Sequence, residues 1–385
     1  MKPTHLAIIC GALDAQQPAG AQVIGFANDL AEHGYRVTLF ALSGAGDELD
    51  PRVDLMVAGS RPRATWLAMF RYRCWLTRAI ANAQVDSTIS TISTVPATIM
   101  MPFNGTAFSR SRVKRSLRPG IVGQLIRRLS DLRPNTALTH LLERRAMSSS
   151  AVQTMIAISP PIKDQLQTDL KKQTLPITLA RIPQPKQRVT TERAAQLREQ
   201  LARAWGISHK SYWIVLPFVD ARLGGFESML RAAKPLIEQG VDAVLLLAGP
   251  TRYTHLVWIG QLGLREHVRL VGTTSMAQEL MSASDLVVSP TSYDPAGWAV
   301  RPALALGKPI VTTTACGVAK EVSMAGGSVL SAPAEPDALL KAIRDQYARW
   351  DSGPMNPSSD TLEPSQEPNL VQAIDQWAQQ RDSPA

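Results

Sequence analysis

Residues 243–250 read Ala-Val-Leu-Leu-Leu-Ala-Gly-Pro, an unbroken apolar run that ends at a glycine and a proline. A strand with one solvent-facing side alternates apolar and polar residues, whereas a strand covered by helices on both faces is apolar throughout. Runs of this kind recur along the second half of the chain, separated by helical patterns. The predicted strands are Trp213–Pro217, Ala243–Ala248, Val268–Val271, Asp285–Ser289, Pro309–Thr312 and Ser328–Leu330. Their alternation with helices predicts a parallel sheet in an α/β domain.

The first half of the chain opens with the same alternation. We predict a strand over Leu6–Cys10, a helix over Gln22–His33 and a second strand over Arg36–Leu42. Between the first strand and the helix lies a loop of small residues that ends at Gly20. Such a loop can bring the free N–H groups of a helix N-terminus to a phosphate. Any Rossmann-like layer needs a turn of this kind, so the loop alone does not distinguish a phosphate site from an ordinary connection.

The length of 385 residues fits two domains better than one, because a single core stops growing at roughly 250–300 residues. Pro183, Gln184 and Pro185 mark the boundary, since proline favours an extended connection. A stretch rich in Pro, Ser and Asp before the last helical pattern predicts a flexible tether. The predicted segments are an N-terminal Rossmann-like domain over 1–183, a C-terminal Rossmann-like domain over 184–350, and the tether with a last helix over 351–385.

The spacing of the cysteines and the length of the apolar runs indicate the cellular location of the protein. Cys10, Cys74 and Cys316 are an odd number without close spacing, which predicts neither a disulfide framework nor a zinc site and indicates a reducing cytoplasm. The run from Leu6 to Leu13 is short for a signal peptide and fits better as a buried opening strand. No run approaches the roughly 20 apolar residues that span a bilayer. We expect a cytoplasmic protein, with peripheral contact to the inner face of the cytoplasmic membrane as a further option.

The net charge of +9 is concentrated in one segment. Between Arg110 and Arg145 ten Lys or Arg stand against two acids, and apolar residues such as Ile121, Leu125 and Leu129 recur there at helical spacing. This pattern suits either a basic helix packed on its own domain or a helix that lies on anionic lipid. Nucleic acid is not expected as a partner, because no aromatic residues are interleaved and no nucleic-acid-binding motif surrounds the segment.

The second half resembles the nucleotide-sugar-binding domain of the retaining GT-B glycosyltransferases, the group that includes the bacterial lipopolysaccharide core glucosyltransferase. The resemblance rests on six segments between Trp213 and Ala348, in the family's order and at its intervals. They are Asp220-Ala-Arg-Leu-Gly-Gly-Phe, Leu245-Leu-Leu-Ala-Gly-Pro, Val268-Arg-Leu-Val-Gly, Ala283-Ser-Asp-Leu-Val-Val-Ser-Pro-Thr, Tyr293-Asp-Pro-Ala-Gly and Ala303-Leu-Ala-Leu-Gly-Lys-Pro-Ile-Val-Thr-Thr. The resemblance implies the GT-B fold, in which two Rossmann-like α/β domains face a central cleft.

The family's donor-site residues are matched in part. Its diphosphate-binding Arg falls on Arg222, but the Lys expected next is Leu223. Of its two Glu separated by seven residues, the first, which holds sugar hydroxyls, falls on Asp294, and the second, which holds the ribose, falls on Pro302. The shorter Asp294 keeps an acceptor carboxylate, whereas Pro302 offers none. Proline does fit the first turn of the helix that we predict to start near Trp298.

Other donor contacts are implied by position. The amides of Gly297, Trp298 and Ala299, at a predicted helix N-terminus, can receive a phosphate whatever their side chains are. The Trp298 ring can stack on a ligand ring or pack in the protein, and packing is the commoner role of large aromatics. The small-residue loop that ends at Gly20 matches the family loop that faces donor phosphate and acceptor.

No catalytic group is identified. The family's candidate catalytic Asp would fall in Val95-Pro-Ala-Thr-Ile-Met, which contains no acid; Asp86 precedes this stretch and Asn104 follows it. The histidines form no pair at metal-ligand spacing and no Asp-x-Asp motif is present, so we expect no metal and no cofactor besides the nucleotide-sugar substrate.

The leading functional hypothesis is a glycosyltransferase that moves a sugar from a nucleotide-sugar donor to a cell-envelope glycan or lipid-linked acceptor. The alternative is a catalytically silent GT-B homologue that acts as a binding or assembly subunit. It is motivated by Leu223, Pro302 and the missing acid. A third hypothesis, a nucleotide-sugar epimerase on the same fold, fits less well because the segment at Tyr293 is similar to the transferase version.

Overall fold

The chain forms two compact α/β units in the computed structural model. The structure describes residues 5–15, 17–59, 66–117, 134–169, 175–182, 189–273, 277–352 and 367–382. The first unit comprises residues 1–183 together with 365–385, and the second comprises residues 184–364. The division after residue 183 falls where the sequence places a domain boundary. The C-terminal segment differs from the expectation, because its helix belongs to the first unit rather than to a separate tether.

The first unit is built on a seven-stranded parallel sheet with the order β3-β2-β1-β4-β5-β6-β7. Its strands are β1 His5–Leu13, β2 Arg36–Gly44, β3 Val53–Val57, β4 Ser87–Ser90, β5 Ile99–Met100, β6 Thr154–Ala157 and β7 Ile177–Leu179. Its helices are α1 Pro18–Glu32, α2 Trp66–Ala83, α3 Ala107–Ser116, α4 Pro134–Met147 and α5 Pro160–Asp169. The chain order reverses between β1 and β4, which makes this the switch point of a doubly wound sheet.

The strand β1 is the centre of this sheet. Its residues Leu6 and Ile8 pair with Val37 and Leu39 of β2, and the opposite edge of the strand pairs with β4. The helix α2 is fixed over the ends of these strands by Tyr72, whose hydroxyl lies 2.8 Å from the carbonyl oxygen of Cys10. The burial of every residue from Leu6 to Cys10 explains why this part of the strand is an unbroken apolar run.

The second unit contains a six-stranded parallel sheet with the order β10-β9-β8-β11-β12-β13. The strands are β8 Tyr212–Pro217, β9 Ala243–Ala248, β10 Val268–Leu270, β11 Leu286–Val288, β12 Ile310–Thr313 and β13 Ser328–Leu330. The helices are α6 Thr191–Trp205, α7 Phe226–Glu238, α8 Tyr253–Gln261, α9 Ala277–Ser282, α10 Arg301–Ala305, α11 Ala319–Met324 and α12 Pro336–Asp351. Both faces of the sheet are buried in apolar clusters. All six predicted strands are present, each within one residue of its predicted ends.

The last helix, α13 Leu370–Asp382, returns to the first unit. The amide of Arg181 donates to the carbonyl oxygen of Pro368 at 2.8 Å, so the chain before the helix pairs beside β7. The hydroxyl of Tyr35 donates to the carboxylate of Asp375. Burial and this carboxylate raise the pKa of Tyr35, which keeps the hydroxyl protonated as the donor.

Some predicted boundaries need correction. The strand β1 continues to Leu13 and the helix α1 begins at Pro18, so Gly20 lies in the first turn of the helix rather than at the end of a loop. The central part of the basic segment, residues 118–133 with Ile121, Leu125 and Leu129, and the connection at Pro183 lie outside the described residues. The helices α3 and α4 flank that segment.

Candidate functional site

Two loops of the second unit meet at the carboxyl edge of its sheet. The loop after β8 is folded by Asp220, whose side chain accepts hydrogen bonds from the amides of Arg222 (3.1 Å) and Leu223 (3.2 Å). It ends at Gly225, which has φ 73° and on which a Cβ would lie 2.2 Å from the carbonyl oxygen of Pro290. Because neighbouring parallel strands end at one edge, this loop lies against the loop that follows β11.

Leu223 connects the two loops. Its carbonyl oxygen accepts hydrogen bonds from the amide of Ser292 at 2.6 Å and the hydroxyl of Thr291 at 3.1 Å, and its side chain is 4% exposed. The position at which the family presents a lysine is therefore used for packing in this chain. Arg222 is exposed, and its guanidinium has no hydrogen-bond partner within the described ranges, which leaves it available to an anion.

The turn from Asp294 to Val300 is organised around Asp294. One carboxylate oxygen accepts the amide of Trp298 and the other accepts the amide of Ala299, each at 3.0 Å. The carbonyl oxygen of the same residue accepts the amides of Gly297 at 3.0 Å and Gly317 at 2.9 Å. Asp294 thus holds its own turn and joins it to the loop after β12.

This geometry corrects one expectation. The helix predicted to start near Trp298 begins at Arg301, so Gly297, Trp298 and Ala299 belong to the preceding turn. Their three amides already donate to Asp294, and the carboxylate occupies the place expected for a phosphate. The reason is the short side chain of Asp, which holds its carboxylate close enough to the backbone to bond amides four and five residues ahead.

The electrostatics of Asp294 reflect two opposing effects. Burial raises the pKa of its carboxyl above the ordinary value, while the amides of Ala299 and Trp298 and the charge of Arg301 oppose the shift. A carboxylate has about four acceptor positions, and only two are taken by these amides. The other acceptor positions are not used by these two amides.

Pro302 and Arg301 form the start of α10. Pro302 lies in the first turn, where its missing N–H removes no helical hydrogen bond. Arg301 is only 6% exposed, and its Nε donates to the carbonyl oxygen of Ala296 at 2.8 Å. Its guanidinium carbon lies 5.9 Å from the centre of the Trp298 ring. Arg301 is not among the residues predicted from the sequence, although a charged residue beside Pro302 in a buried helix start is a signal that could have identified it.

Gly20, the candidate donor-binding residue of the first unit, lies in the first turn of α1. A Cβ at this position would lie 2.1 Å from the carbonyl oxygen of Asp14, so only glycine fits between the end of β1 and α1. No side chain caps this helix start among the described residues, its first turn contains no acid, and Pro18 occupies its first position. The N-terminus of α1 therefore has the polarity that favours an anion.

Residues 95–100, where the family's catalytic Asp would fall, belong to the core of the first unit. Val95 and Ala97 are buried, and Ile99 and Met100 form β5. Asp86, the nearest preceding acid, accepts the amide of His5 at 2.7 Å. Over the described ranges no group of three His, Cys, Asp or Glu side chains could hold a metal ion. Residues 95–100 contain no acid that could serve as the catalytic group.

Comparisons with known proteins bear on the second unit most directly. Residues 201–351 match the family model described as glycosyl transferases group 1. The lipopolysaccharide glucosyltransferase WaaG of Escherichia coli K12 is 27% identical over 122 residues, which are 28% of this chain and 33% of that protein. The alpha-D-kanosaminyltransferase of Streptomyces kanamyceticus is 26% identical over 158 residues, 40% of each protein. The chain thus matches about a third to two fifths of the length of these relatives.

Solved structures resemble the whole chain. The structure of WaaG, a glycosyltransferase involved in lipopolysaccharide biosynthesis, has a TM-score of 0.76 at 16% identity and covers 99% of this chain and 100% of its own. Sucrose-phosphate synthase from Thermosynechococcus elongatus has a TM-score of 0.71 at 14% identity, and the match covers 98% of this chain and 99% of the synthase chain. Anabaena HepE in complex with UDP-glucose has a TM-score of 0.70 at 15% identity, and the match covers 99% of this chain and 100% of the HepE chain. The GT-B fold and the resemblance to group 1 glycosyltransferases of the WaaG kind are confirmed.

In the described part of the chain no helix is both long and apolar enough to cross a membrane.

Proposed function

We propose that the protein is a hexosyltransferase that moves a sugar from a nucleotide-sugar donor to a cell-envelope glycan or lipid-linked acceptor, as in the assembly of a lipopolysaccharide core. The observation that carries the proposal is the pair of loops at the carboxyl edge of the second sheet. They place an exposed Arg222 next to a turn whose carboxylate, Asp294, keeps free acceptor positions. An arginine suits a diphosphate, and a carboxylate suits sugar hydroxyls.

The direct test is titration of the full chain with UDP-sugars and GDP-sugars, followed by thermal unfolding and by release of free nucleotide. We expect a rise in unfolding temperature with one donor class and slow turnover with that donor. Stabilisation without turnover on any offered glycan acceptor would favour the silent homologue. Absence of stabilisation by every donor would refute a donor site at Arg222 and Asp294.

We propose that the reaction needs no metal cofactor. The diphosphate charge would be balanced in the second unit by the exposed Arg222. Turnover measured with excess chelator and with added Mg²⁺ or Mn²⁺ tests this. A loss of activity with chelator that either metal restores would contradict it.

We also propose that the first unit contacts the anionic inner face of the cytoplasmic membrane. The helices α2 and α4 pack against each other and expose two large apolar side chains, Phe70 (58%) and Leu141 (43%). Arg144 and Arg145, in the last turn of α4, are also exposed. Near an anionic surface each such cation contributes about 1 kcal/mol, and the apolar side chains add to the attraction.

Sedimentation with anionic and with neutral vesicles, at low and raised salt, tests the membrane contact. We expect salt-sensitive binding to anionic vesicles only, weakened when Phe70 and Leu141 are both changed to Ser. The matched control is Met324→Ser, because Met324 is equally exposed at 43% but lies in the second unit. Binding that ignores lipid charge, or an equal effect of the control, would leave a soluble acceptor as the better proposal.

A further inference from the structure

An exposed apolar face lies on α8, beside the edge strand of the second sheet. Tyr253, Leu256 and Val257 are 80%, 49% and 39% exposed, and their spacing of three and four residues places them on one face of the helix. The helix is anchored by Ile259, which is buried in the core of the unit. Single exposed apolar side chains are common, but a contiguous group of them marks a binding surface.

These side chains form one wall of a groove with a volume of about 340 Å³. The edge strand β10 forms the other wall with Val268 and Leu270. Ligand sites in proteins have volumes of about 300–1,000 Å³ and a mainly apolar lining. The lining extends along α8 from Tyr253 to Ile259, a length of about 9 Å. An elongated apolar groove of this kind fits an alkyl chain better than a compact polar ligand.

A cation lies beside this groove. Arg265 is part of the lining and is exposed. Its guanidinium lies against the last turn of α8, since a Cβ at Gly260 would be 2.8 Å from the Arg265 Nε. In the part of the chain that the structure describes, this guanidinium makes no hydrogen bond or ion pair, and no carboxylate lines the groove. Its N–H groups can therefore receive a phosphate.

A protein partner fits this surface less well than a small amphiphile. The three exposed apolar side chains present roughly 400 Å² together, whereas each partner in a stable interface buries about 800 Å². The outer edge of β10 is also partly closed to another strand, because Nη1 of Arg269 donates to the carbonyl oxygen of Val268 at 3.1 Å.

We propose that the groove binds a single molecule of an anionic lipid, with its alkyl chain between α8 and β10 and its head-group phosphate at Arg265. The apolar walls remove the chain from water, and the guanidinium offers parallel N–H groups to the phosphate oxygens. Neither Arg222 nor Asp294 lines the groove, so this site is additional to the donor site. The lipid part of a lipid-linked acceptor belongs to this chemical class, a link that rests on the proposed function.

Dodecyl phosphate below its micelle concentration is the probe, and dodecyl maltoside is the uncharged comparison. Binding to the full chain is measured by calorimetric titration for the parent, Leu256→Ser, Arg265→Gln and Val219→Ser. Val219 is the matched control, because it is 79% exposed in the same unit but does not line the groove. We expect Leu256→Ser to weaken binding of both probes about fivefold, and Arg265→Gln to weaken binding of dodecyl phosphate alone about tenfold.

The proposal is overturned if the parent does not bind dodecyl phosphate, or if Val219→Ser weakens binding as much as Leu256→Ser. Equally tight binding of inorganic phosphate would show that the chain contributes nothing and would also overturn it. Binding to anionic vesicles without binding of the monomeric probe would replace the proposal with a membrane contact. A parent dimer in sedimentation equilibrium that Leu256→Ser dissociates would replace it with self-association.

Thermal stabilisation by the nucleotide-sugar is measured on the same variants and should be unchanged in each of them. Its absence in the parent as well would refute the donor site at Arg222 and Asp294 while leaving the lipid result intact. Loss of donor stabilisation in Leu256→Ser alone would contradict a lipid site that is separate from the donor site.

Discussion

Replacing Arg222 with Ala should weaken donor binding without weakening the fold. The guanidinium is exposed and makes no hydrogen bond within the described residues, so its removal breaks no internal contact. Surface substitutions of this kind change stability by about 0.5 kcal/mol or less. The loop itself is held by the Asp220 side chain and by Leu223, whose backbone contacts do not involve the arginine side chain.

The expected loss follows from the charge of the ligand. A hydrogen bond to a charged group contributes about 1.5–3 kcal/mol, which corresponds to a tenfold to roughly 150-fold rise in the donor Kd. Leu223 is buried where the family has a lysine, so no neighbouring cation can compensate. Calorimetric titration with the donor that stabilises the parent measures the change. Arg203→Ala, an exposed arginine on α6, is the control. Unchanged donor affinity in Arg222→Ala, or an equal loss in the control, would refute the role of Arg222.

Three further changes test the second unit. Asp294→Asn should weaken nucleotide-sugar binding but not free-nucleotide binding by calorimetry; loss of both would contradict a sugar-specific role. Pro302→Glu should raise donor affinity about tenfold or more, because a carboxylate in the first turn suits the helix and restores the ribose contact; unchanged donor affinity would show that the missing carboxylate at position 302 does not limit donor binding. Arg198→Ala should lower the free energy of unfolding in urea by about 3 kcal/mol, since Arg198 bonds Asp285 with both terminal nitrogens at 2.9 and 2.8 Å; a loss below about 1 kcal/mol would show that the pair is dispensable.

The fold of the second unit was accessible from sequence because its strands are buried on both faces. Ala243–Ala248 is apolar at every position, and the strand has the predicted ends. The first unit was harder to interpret. The edge strand Val53–Val57 is partly exposed and contains Asp54, and the helix Trp66–Ala83 contains three arginines, so neither stands out by periodicity. Edge elements are specified by their pairing with a neighbour, which a single sequence does not display.

The internal contacts of the candidate site could not be predicted from the sequence. The motif predicts a turn at Asp294 and Pro302 in the first turn of the next helix, and the structure has both, although that helix begins at Arg301. What it cannot give is the orientation of a carboxylate that is one methylene shorter than the family's glutamate. The bonds of Asp294 to Trp298 and Ala299, and that of Arg301 to Ala296, depend on distances of about 3 Å that arise only when the turn is closed.

The contacts of Asp294 also decide how the diphosphate would be held. The amides of Trp298 and Ala299 donate to the Asp294 carboxylate and that of Gly297 to its carbonyl oxygen, so a phosphate could use the first two amides only by displacing the carboxylate. Two N–H bonds to a carboxylate would then be exchanged for two to a phosphate, with little net gain, and a buried anion would be left unpaired. The carboxylate is therefore expected to stay in place and to use its remaining acceptor positions for sugar hydroxyls. Within the second unit, balancing the diphosphate charge would then fall to Arg222, so donor affinity should respond to Arg222 more strongly than to any side chain of the turn.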